Sequence, residues 1–442
     1  MKLCIVGTGY VGLVSAACFA EMGNEVRCVD INEQVVASLN KGRIHIFEPG
    51  LEELVLRNAN EGRLLFTADL EQGLSGAELV FLCVGTPSRE DGSCDLTHVL
   101  NAARQVGKHM SNALYVVNKS TVPVGTADAI HALVRDQLDK RRVELHFDVV
   151  ANPEFLKGGD AVNDFMKPDR IVVGTDNPNA AQLMRELYAP FARTRDKMIV
   201  TGLRSAEMIK YAANCMLATK ISFINEIANI CEQVGADVRD VRAGIGADHR
   251  IGPYFIYPGL GYGGASLPKD VRALIHTAKD AGVYPELLLA VDAVNNRQKR
   301  HLAYTVLEYF ENQGGVKNRC VALWGLAFKA KTDDMRESAA MSMIKELTDR
   351  GVTVQAFDPV AGKRAQKELA GNPLLRIVSG QYDALEGADA LLVATEWNQF
   401  RMPDFDKIRS MLSIPVVFDG RNLYSPAEMA QKGFIYFCVG RR

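Results

Sequence analysis

Three groups of residues in this 442-residue sequence have types and spacings that could do chemistry. The first is Gly7-Thr8-Gly9-Tyr10-Val11-Gly12, which follows a short apolar run and opens a helical pattern, with Asp30 closing the next apolar run. Gly7 permits a tight turn, Gly9 lets the backbone approach a pyrophosphate, and Gly12 lets helix and strand pack closely, while the first helical N–H groups face the phosphates. A carboxylate at position 30 accepts hydrogen bonds from ribose hydroxyls and repels a 2′-phosphate, so the expected cofactor is NAD. The second group is Lys210 and Asn214, one helical turn apart, with Glu154 after Asn152-Pro153. A cation and an amide on one helix face can stabilise charge developing on an oxygen, and a carboxylate can move a proton. Taken by spacing alone, the same residues describe a solvated helix face and a surface acid. The third is the glycine turn Gly263-Gly264-Ala265-Ser266-Leu267-Pro268-Lys269-Asp270, which presents a hydroxyl and, soon after, a carboxylate. A serine hydroxyl needs a dedicated base to act as a nucleophile, and the loop holds no histidine, though His249 is nearby in sequence. The plain alternative is that Ser266 caps the helix that follows.

The surrounding pattern supplies elements to position these groups. Residues 3–6, 25–30, 78–84, 114–118 and 147–151 are short apolar, β-branched runs separated by helical patterns. Such alternation predicts an α/β domain with a parallel sheet covered by helices on both faces. Residues 204–234 carry apolar positions at helical spacing without glycine or proline, which predicts one long helix. A Gly/Pro/aromatic loop follows at 251–268, and helices resume to about residue 310. Strand–helix alternation returns at 320–325, 352–358, 390–395 and 415–419. The expected architecture is two Rossmann-like doubly wound domains, at 1–200 and 311–442, joined by a helical domain at 201–310. The turns at Val84-Gly85-Thr86-Pro87 and Lys119-Ser120-Thr121-Val122-Pro123 fall at strand ends on the edge where ligands bind.

Composition narrows the function classes. The net charge is −2 and no Lys/Arg-rich run occurs, which gives no electrostatic case for nucleic acid or anionic lipid. No segment approaches the roughly 18 apolar residues of a membrane span, and the N-terminus enters a strand directly without a leader-like apolar stretch. Nine cysteines are scattered singly with no Cys-x-x-Cys pair, so neither a metal site nor a disulfide framework is expected, and a reducing cytoplasm is.

The segments G-T-G-Y-V-G, F-E-P-G-L, V-G-T-P, K-S-T-V-P-V-G-T, N-P-E-F-L, F-M-K-P-D-R-I-V-V-G, A-E-M-I-K-Y-A-A-N, H-R-I-G-P, G-Y-G-G-A-S-L-P-K-D, L-A-F-K and F-D-G-R-N occur in order over nearly the whole chain. Together they resemble the UDP-glucose/GDP-mannose dehydrogenase family, with the R-I-G-P segment and the V-V-F-D-G-R-N-L-Y tail resembling its UDP-glucose branch. The resemblance implies oxidation of sugar C6 from alcohol to acid, UDP-glucose to UDP-glucuronate, with two NAD used in turn. A cysteine thiolate would add to the intermediate aldehyde, a second hydride transfer would give a thioester, and water would cleave it.

It further implies catalytic roles for the residue at 266, Lys210, Asn214, Asp270, Glu154 and Thr121, and NAD contacts from Thr86, Ser120, Thr121 and Arg336 beside the glycine turn. Substrate contacts would come from Glu154, Phe155, Leu156, Lys157, Lys210, Asn214, Tyr254, Phe255, Gly263, Phe328, Lys329 and Arg421. Arg250 would reach the substrate of a neighbouring subunit, which implies a homodimer, or an oligomer of dimers, built on the long helix.

Three positions depart from the family pattern. Ser266 stands where a cysteine is usual, which predicts a chain that binds both ligands but turns over slowly, as would a replacement introduced to trap a complex. Gly158 stands where many members have a glutamate, and Val35 where a basic residue would touch the adenosine end of NAD. Ser266 also opens a second reading, a protein that binds a nucleotide sugar without oxidising it. A third reading is a dehydrogenase for another nucleotide sugar such as GDP-mannose.

Overall fold

The computed structural model describes residues 1–192 and 195–441. It divides into two compact units, Met1–Ala213 and Asn214–Arg442, and the division falls inside the helix Leu203–Val234.

The first unit holds an eight-stranded sheet: β1 (Lys2–Val6), β2 (Glu25–Val29), β3 (Leu64–Thr67), β4 (Leu79–Leu82), β5 (Leu114–Asn118), β6 (Phe147–Ala151), β7 (Ile171–Gly174) and β8 (Met198–Thr201). Their spatial order is 3-2-1-4-5-6-7-8. The central strands are buried on both faces, as the continuous run Leu79-Val80-Phe81-Leu82 requires when helices cover both sides. All pairings are parallel except β6 with β7, which meet antiparallel through Ala151 and Gly174. This corrects the expectation of a wholly parallel sheet. A Cβ on Gly174 would lie 3.2 Å from that of Ala151 and 2.6 Å from that of Ala206 on the helix Leu203–Val234, so glycine leaves room for both neighbours.

The second unit carries a six-stranded parallel sheet: β9 (Cys320–Trp324), β10 (Thr353–Phe357), β11 (Leu375–Ile377), β12 (Ala390–Val393), β13 (Val416–Asp419) and β14 (Ile435–Cys438), in the order 11-10-9-12-13-14. Numbered within its own sheet, that order is 3-2-1-4-5-6, the doubly wound order of the first unit's first six strands. Among the described residues of this unit the helices Val238–Gly246, Leu267–Asp280 and Glu286–Glu311 precede the sheet. The strands that the apolar pattern did not announce are β3, β7, β8, β11 and β14. Four of these are sheet edges, short and partly solvated, where one-sided burial dilutes the apolar signal.

Candidate active site

In the first unit, the predicted glycine turn connects β1 to the helix Tyr10–Glu21. Gly7 has φ +97°, and a Cβ there would meet the Cys83 carbonyl oxygen at 2.8 Å. A Cβ on Gly12 would lie 1.9 Å from the Gly7 carbonyl oxygen, whereas one on Gly9 would meet nothing within 4 Å. Two glycines are thus needed by the fold, and the third leaves open backbone beside an uncapped helix N-terminus, which fits a pyrophosphate. Val11 packs against the core. Asp30 stands at the end of β2. Its Oδ2 accepts the Thr8 backbone N–H at 2.8 Å and the Thr8 hydroxyl at 2.6 Å, which orients the carboxylate beside the turn. Gly12→Ala forces this turn apart. We expect at least a tenfold loss of dinucleotide affinity and about 1–3 kcal/mol of stability, read by titration and by melting; an unchanged dissociation constant would overturn the assignment.

The two strand-end loops are stitched together. The Thr86 hydroxyl donates to the Thr121 carbonyl at 2.8 Å, and the Ser120 hydroxyl donates to the Val84 carbonyl at 2.8 Å. Behind them lies Lys119, 3% exposed, donating to Asn152 Oδ1 and to the Tyr188 phenol, both at 3.2 Å. Burial pushes its ammonium down to about 8.

Past β6, Glu154 and Lys210 form a buried pair. Lys210 Nζ donates to Glu154 Oε1 at 3.0 Å and to the Glu154 carbonyl at 2.7 Å, while the Leu156 N–H donates to Glu154 Oε2 at 2.6 Å. Their side chains are 8% and 4% exposed. Burial alone would raise the Glu154 carboxyl; the Lys210 charge and the Leu156 N–H outweigh it and hold it below the usual carboxylate value. Phe155 lies under Arg170 at 3.6 Å and beside Lys210 Nζ at 5.4 Å. Lys157 is held by Asp164 at 2.9 Å. A recess lined by Asn118, Ser120, Thr121, Pro153, Glu207 and Lys210 opens at this sheet edge.

Motif reading overlooked two buried carboxylates here. Glu48, within F-E-P-G-L, accepts the N–H groups of Gly159 (2.7 Å) and Ala161 (2.8 Å) and bonds the Tyr10 phenol. Glu207 accepts the N–H groups of Gly125 (2.7 Å) and Ala127 (2.8 Å), capping the helix Thr126–Arg141. Neither carries a local signal, because the N–H groups that each accepts come from segments far away in sequence. Gly158 faces the Tyr10 phenol; a Cβ there would lie 3.7 Å from it. Val35 packs partly against the core, one turn into a helix capped by Asn32.

In the second unit, Asn214 Nδ2 donates to Asp270 Oδ2 at 2.6 Å, and Lys269 Nζ stands 2.9 Å from Asp270 Oδ1. Asp270 is fully buried. Ser266 is the N-cap of the helix Leu267–Asp280, with φ −100° and ψ −64°, but its side chain makes no capping bond. The plain capping explanation for a serine is therefore corrected: the hydroxyl is not spent on the helix. Cys215 places Sγ 4.0 Å from the Asp270 carbonyl, and burial pushes its thiol up to about 12, which leaves it inert.

Gly263 and Gly264 pack on Phe328, whose ring would meet a Cβ on Gly264 at 2.8 Å. Lys329 Nζ lies 5.6 Å from that ring. Arg421 donates to the carbonyls of Ala394 (2.7 Å) and Phe328 (2.8 Å), so much of its fork ties loops together. Arg336 pairs with Asp334 at 2.7 Å and Arg250 with Asp248 at 2.6 Å, both with exposed guanidinium groups. Tyr254 is 71% exposed, and Phe255 adopts a left-handed φ of +62°.

The second sheet repeats the glycine turn, with Gly325 at φ +98°. Here, however, the acid after the second strand, Asp358, is buried and accepts the N–H groups of Leu326, Ala327, Val360 and Ala361. A carboxylate so saturated and buried differs from Asp30, which is half-buried and accepts from Thr8 and the Asn32 N–H.

Comparison with known proteins is consistent along the chain. Residues 1–192 match the NAD binding domain of the UDP-glucose/GDP-mannose dehydrogenase family, 204–297 its central domain and 322–426 its UDP binding domain. The UDP-glucose 6-dehydrogenase of Pseudomonas aeruginosa is 52% identical over 100% of this chain and 98% of its own length. The structure of a UDP-glucose dehydrogenase from Pyrobaculum islandicum is similar with a TM-score of 0.90 at 37% identity, covering 100% of this chain and 98% of that one. A UDP-D-ManNAc dehydrogenase from Pyrococcus horikoshii gives 0.87 at 28% identity, covering 100% and 99%. Among the described residues no helix is long and apolar enough to cross a membrane.

Proposed function

Because this chain belongs to the UDP-glucose/GDP-mannose dehydrogenase family, we propose that it is an NAD-dependent oxidoreductase that converts UDP-glucose to UDP-glucuronate, slowly where Ser266 replaces a thiol. The observation that carries the chemistry is the buried Lys210–Glu154 pair at the carboxyl edge of the first sheet. Oxidation of an alcohol to an aldehyde releases a hydride and a proton; oxidation of the aldehyde to an acid takes up water and releases a second hydride and a second proton. NAD, when bound, supplies the hydride acceptor. The Gly7–Gly12 turn and Asp30 hold it, with Thr86, Ser120, Thr121 and Arg336 as further contacts. The Lys210 ammonium stabilises negative charge on the C6 oxygen, and Glu154, kept ionised by that ammonium, receives a proton. Asn214, one helical turn further along, adds an N–H, and its bond to Asp270 fixes its orientation. Lys329 and Arg421, with Phe328, serve the UDP end. The functional division is 1–200 for NAD, 201–310 for dimerisation and 311–442 for the UDP sugar.

Formation of NADH from UDP-glucose, compared with GDP-mannose and a UDP-N-acetylhexosamine, tests this reading in the chain carrying Ser266→Cys. Preference for either of the other sugars, or binding without any NADH, would reject it.

A homodimer built on the central helix is supported by Met216, Phe223 and Ile230, which recur every seven residues with 62%, 51% and 51% exposure. Phe223→Glu is expected to turn a dimer into a monomer by light scattering; a mass unchanged from the parent chain rejects this interface. Nine cysteines scattered singly along the chain, with no Cys-x-x-Cys pair, support a cytoplasmic setting.

A further inference from the structure

The loop at 334–338 contains a residue the reaction scheme does not use. Glu337 has a left-handed φ of +55°, a conformation that residues with a Cβ avoid. Its backbone is pressed against the glycine turn before position 266: a Cβ on Gly263 would lie 2.4 Å from the Glu337 carbonyl oxygen, and the Gly264 N–H donates to the adjacent Arg336 carbonyl at 2.8 Å. Its carboxylate points to the elements after position 266. Oε1 accepts from Arg272, on the helix Leu267–Asp280, at 2.8 Å. Oε2 accepts from Lys299, on the helix Glu286–Glu311, at 2.6 Å. Lys299 is 3% exposed, so its ammonium depends on this partner. Burial opposes ionisation of Glu337, but the two cations win and hold its carboxyl down at about 2.

We propose that Glu337 is a positioning residue: one residue grips the chain on both sides of position 266 and fixes the side chain there for the second oxidation. Within the same loop, Arg336 is assigned to NAD, so the grip also ties position 266 to the cofactor-contacting segment. The proposal rests on the reading of the site given above, and its test is built so that the two can fail separately.

The experiment uses the full chain carrying Ser266→Cys, alone, with Glu337→Gln, and with Glu337→Gln plus Lys299→Met. Glu337→Gln alone leaves Lys299 buried without its partner and lowers the melting temperature. The double change removes both charges and keeps the net charge, while Arg272 retains Asp292 at 3.7 Å. It is expected to recover most of the melting temperature but to leave kcat lower by on the order of 10- to 100-fold, with KM for UDP-glucose within about threefold, as misplacement of a reacting group does. A second readout needs no turnover. The pH midpoint for iodoacetamide alkylation of the thiol at 266, followed on its peptide by mass spectrometry, should rise toward the roughly 8.5 of a thiol no longer held at a helix N-terminus. If the double change restores kcat together with the melting temperature, or leaves the alkylation midpoint unmoved, Glu337 is merely structural and the proposal is wrong. Should Ser266→Cys form no NADH at all, the substrate assignment fails, and the alkylation profile alone still decides for or against Glu337.

Discussion

Ser266→Cys is expected to raise steady-state NADH formation from UDP-glucose by about 10²-fold or more, the largest gain any single substitution should give this chain. The argument is one of acidity. A thiol of ordinary pKa about 8.5 already supplies some thiolate near neutrality, and a helix N-terminus supplies more. Position 266 is the N-cap of the helix Leu267–Asp280, and its side chain is free of any capping bond, so a thiol there would meet the favourable end of the helix. A serine in the same place is a far weaker acid and would need a base. His249 is 94% exposed along its side chain and lies 3.9 Å from Asp248, and His276, ten residues after position 266, is paired with Asp280 at 2.9 Å. Cys215 cannot substitute, since burial pushes its thiol up to about 12. The first hydride transfer needs no nucleophile at 266. A single-turnover experiment on the unaltered chain should therefore show NADH formed in a first phase, followed by a slow second one. Equal steady rates for the serine and cysteine chains would refute the assignment of position 266 to the second oxidation.

Much of this architecture was legible because the physics that places it is local. The glycine turn, Asp30 and the strand-end loops could be read from residue type and spacing, since a turn at the end of a buried strand needs glycine for steric reasons that the sequence states directly. The long helix was read as 204–234 and spans Leu203–Val234, because an unbroken apolar stripe leaves little room for another outcome. The edge strands were not legible, because half-solvated segments such as Met198–Thr201 lack the continuous apolar run that marks a core strand. The buried ionic pairs were invisible for another reason. Whether Glu48, Glu207 or Lys299 is buried depends on segments far away in sequence. Lys299 lies on a helix whose polar residues look solvated, yet its ammonium closes on Glu337 from 38 positions away. Lys210 and Glu154 were suggested by the family pattern; that they form a nearly dry pair was not.

That pair gives the second large effect. Lys210→Met should lower kcat by on the order of 10²- to 10³-fold, because it removes the cation assigned to the developing oxyanion. It should also cost roughly 3–5 kcal/mol of stability, since Glu154, 8% exposed, is left as an uncompensated buried carboxylate. The pH dependence separates these effects. In the parent chain the folded Glu154 carboxyl lies below its ordinary value of 4.5, so its contribution to stability is fully present above that value and is lost as pH falls through the folded one. Without Lys210 the order inverts. Burial, the opposing influence in the parent chain, then raises the carboxyl above 4.5, and protonation relieves the penalty, so the deficit relative to the parent chain shrinks as pH falls from 7 toward 5. Lys119 remains nearby and moderates the shift without making a bond to Glu154, since its ammonium is given to Asn152 and Tyr188. Glu154→Gln combined with Lys210→Met should recover most of the lost stability at pH 7 and none of the rate. Urea unfolding of the three chains at pH 5 and pH 7, with turnover measured alongside, reads both. A Lys210→Met chain that unfolds like its parent and still forms NADH at the parent rate would mean that this pair neither holds the site together nor takes part in the oxidation.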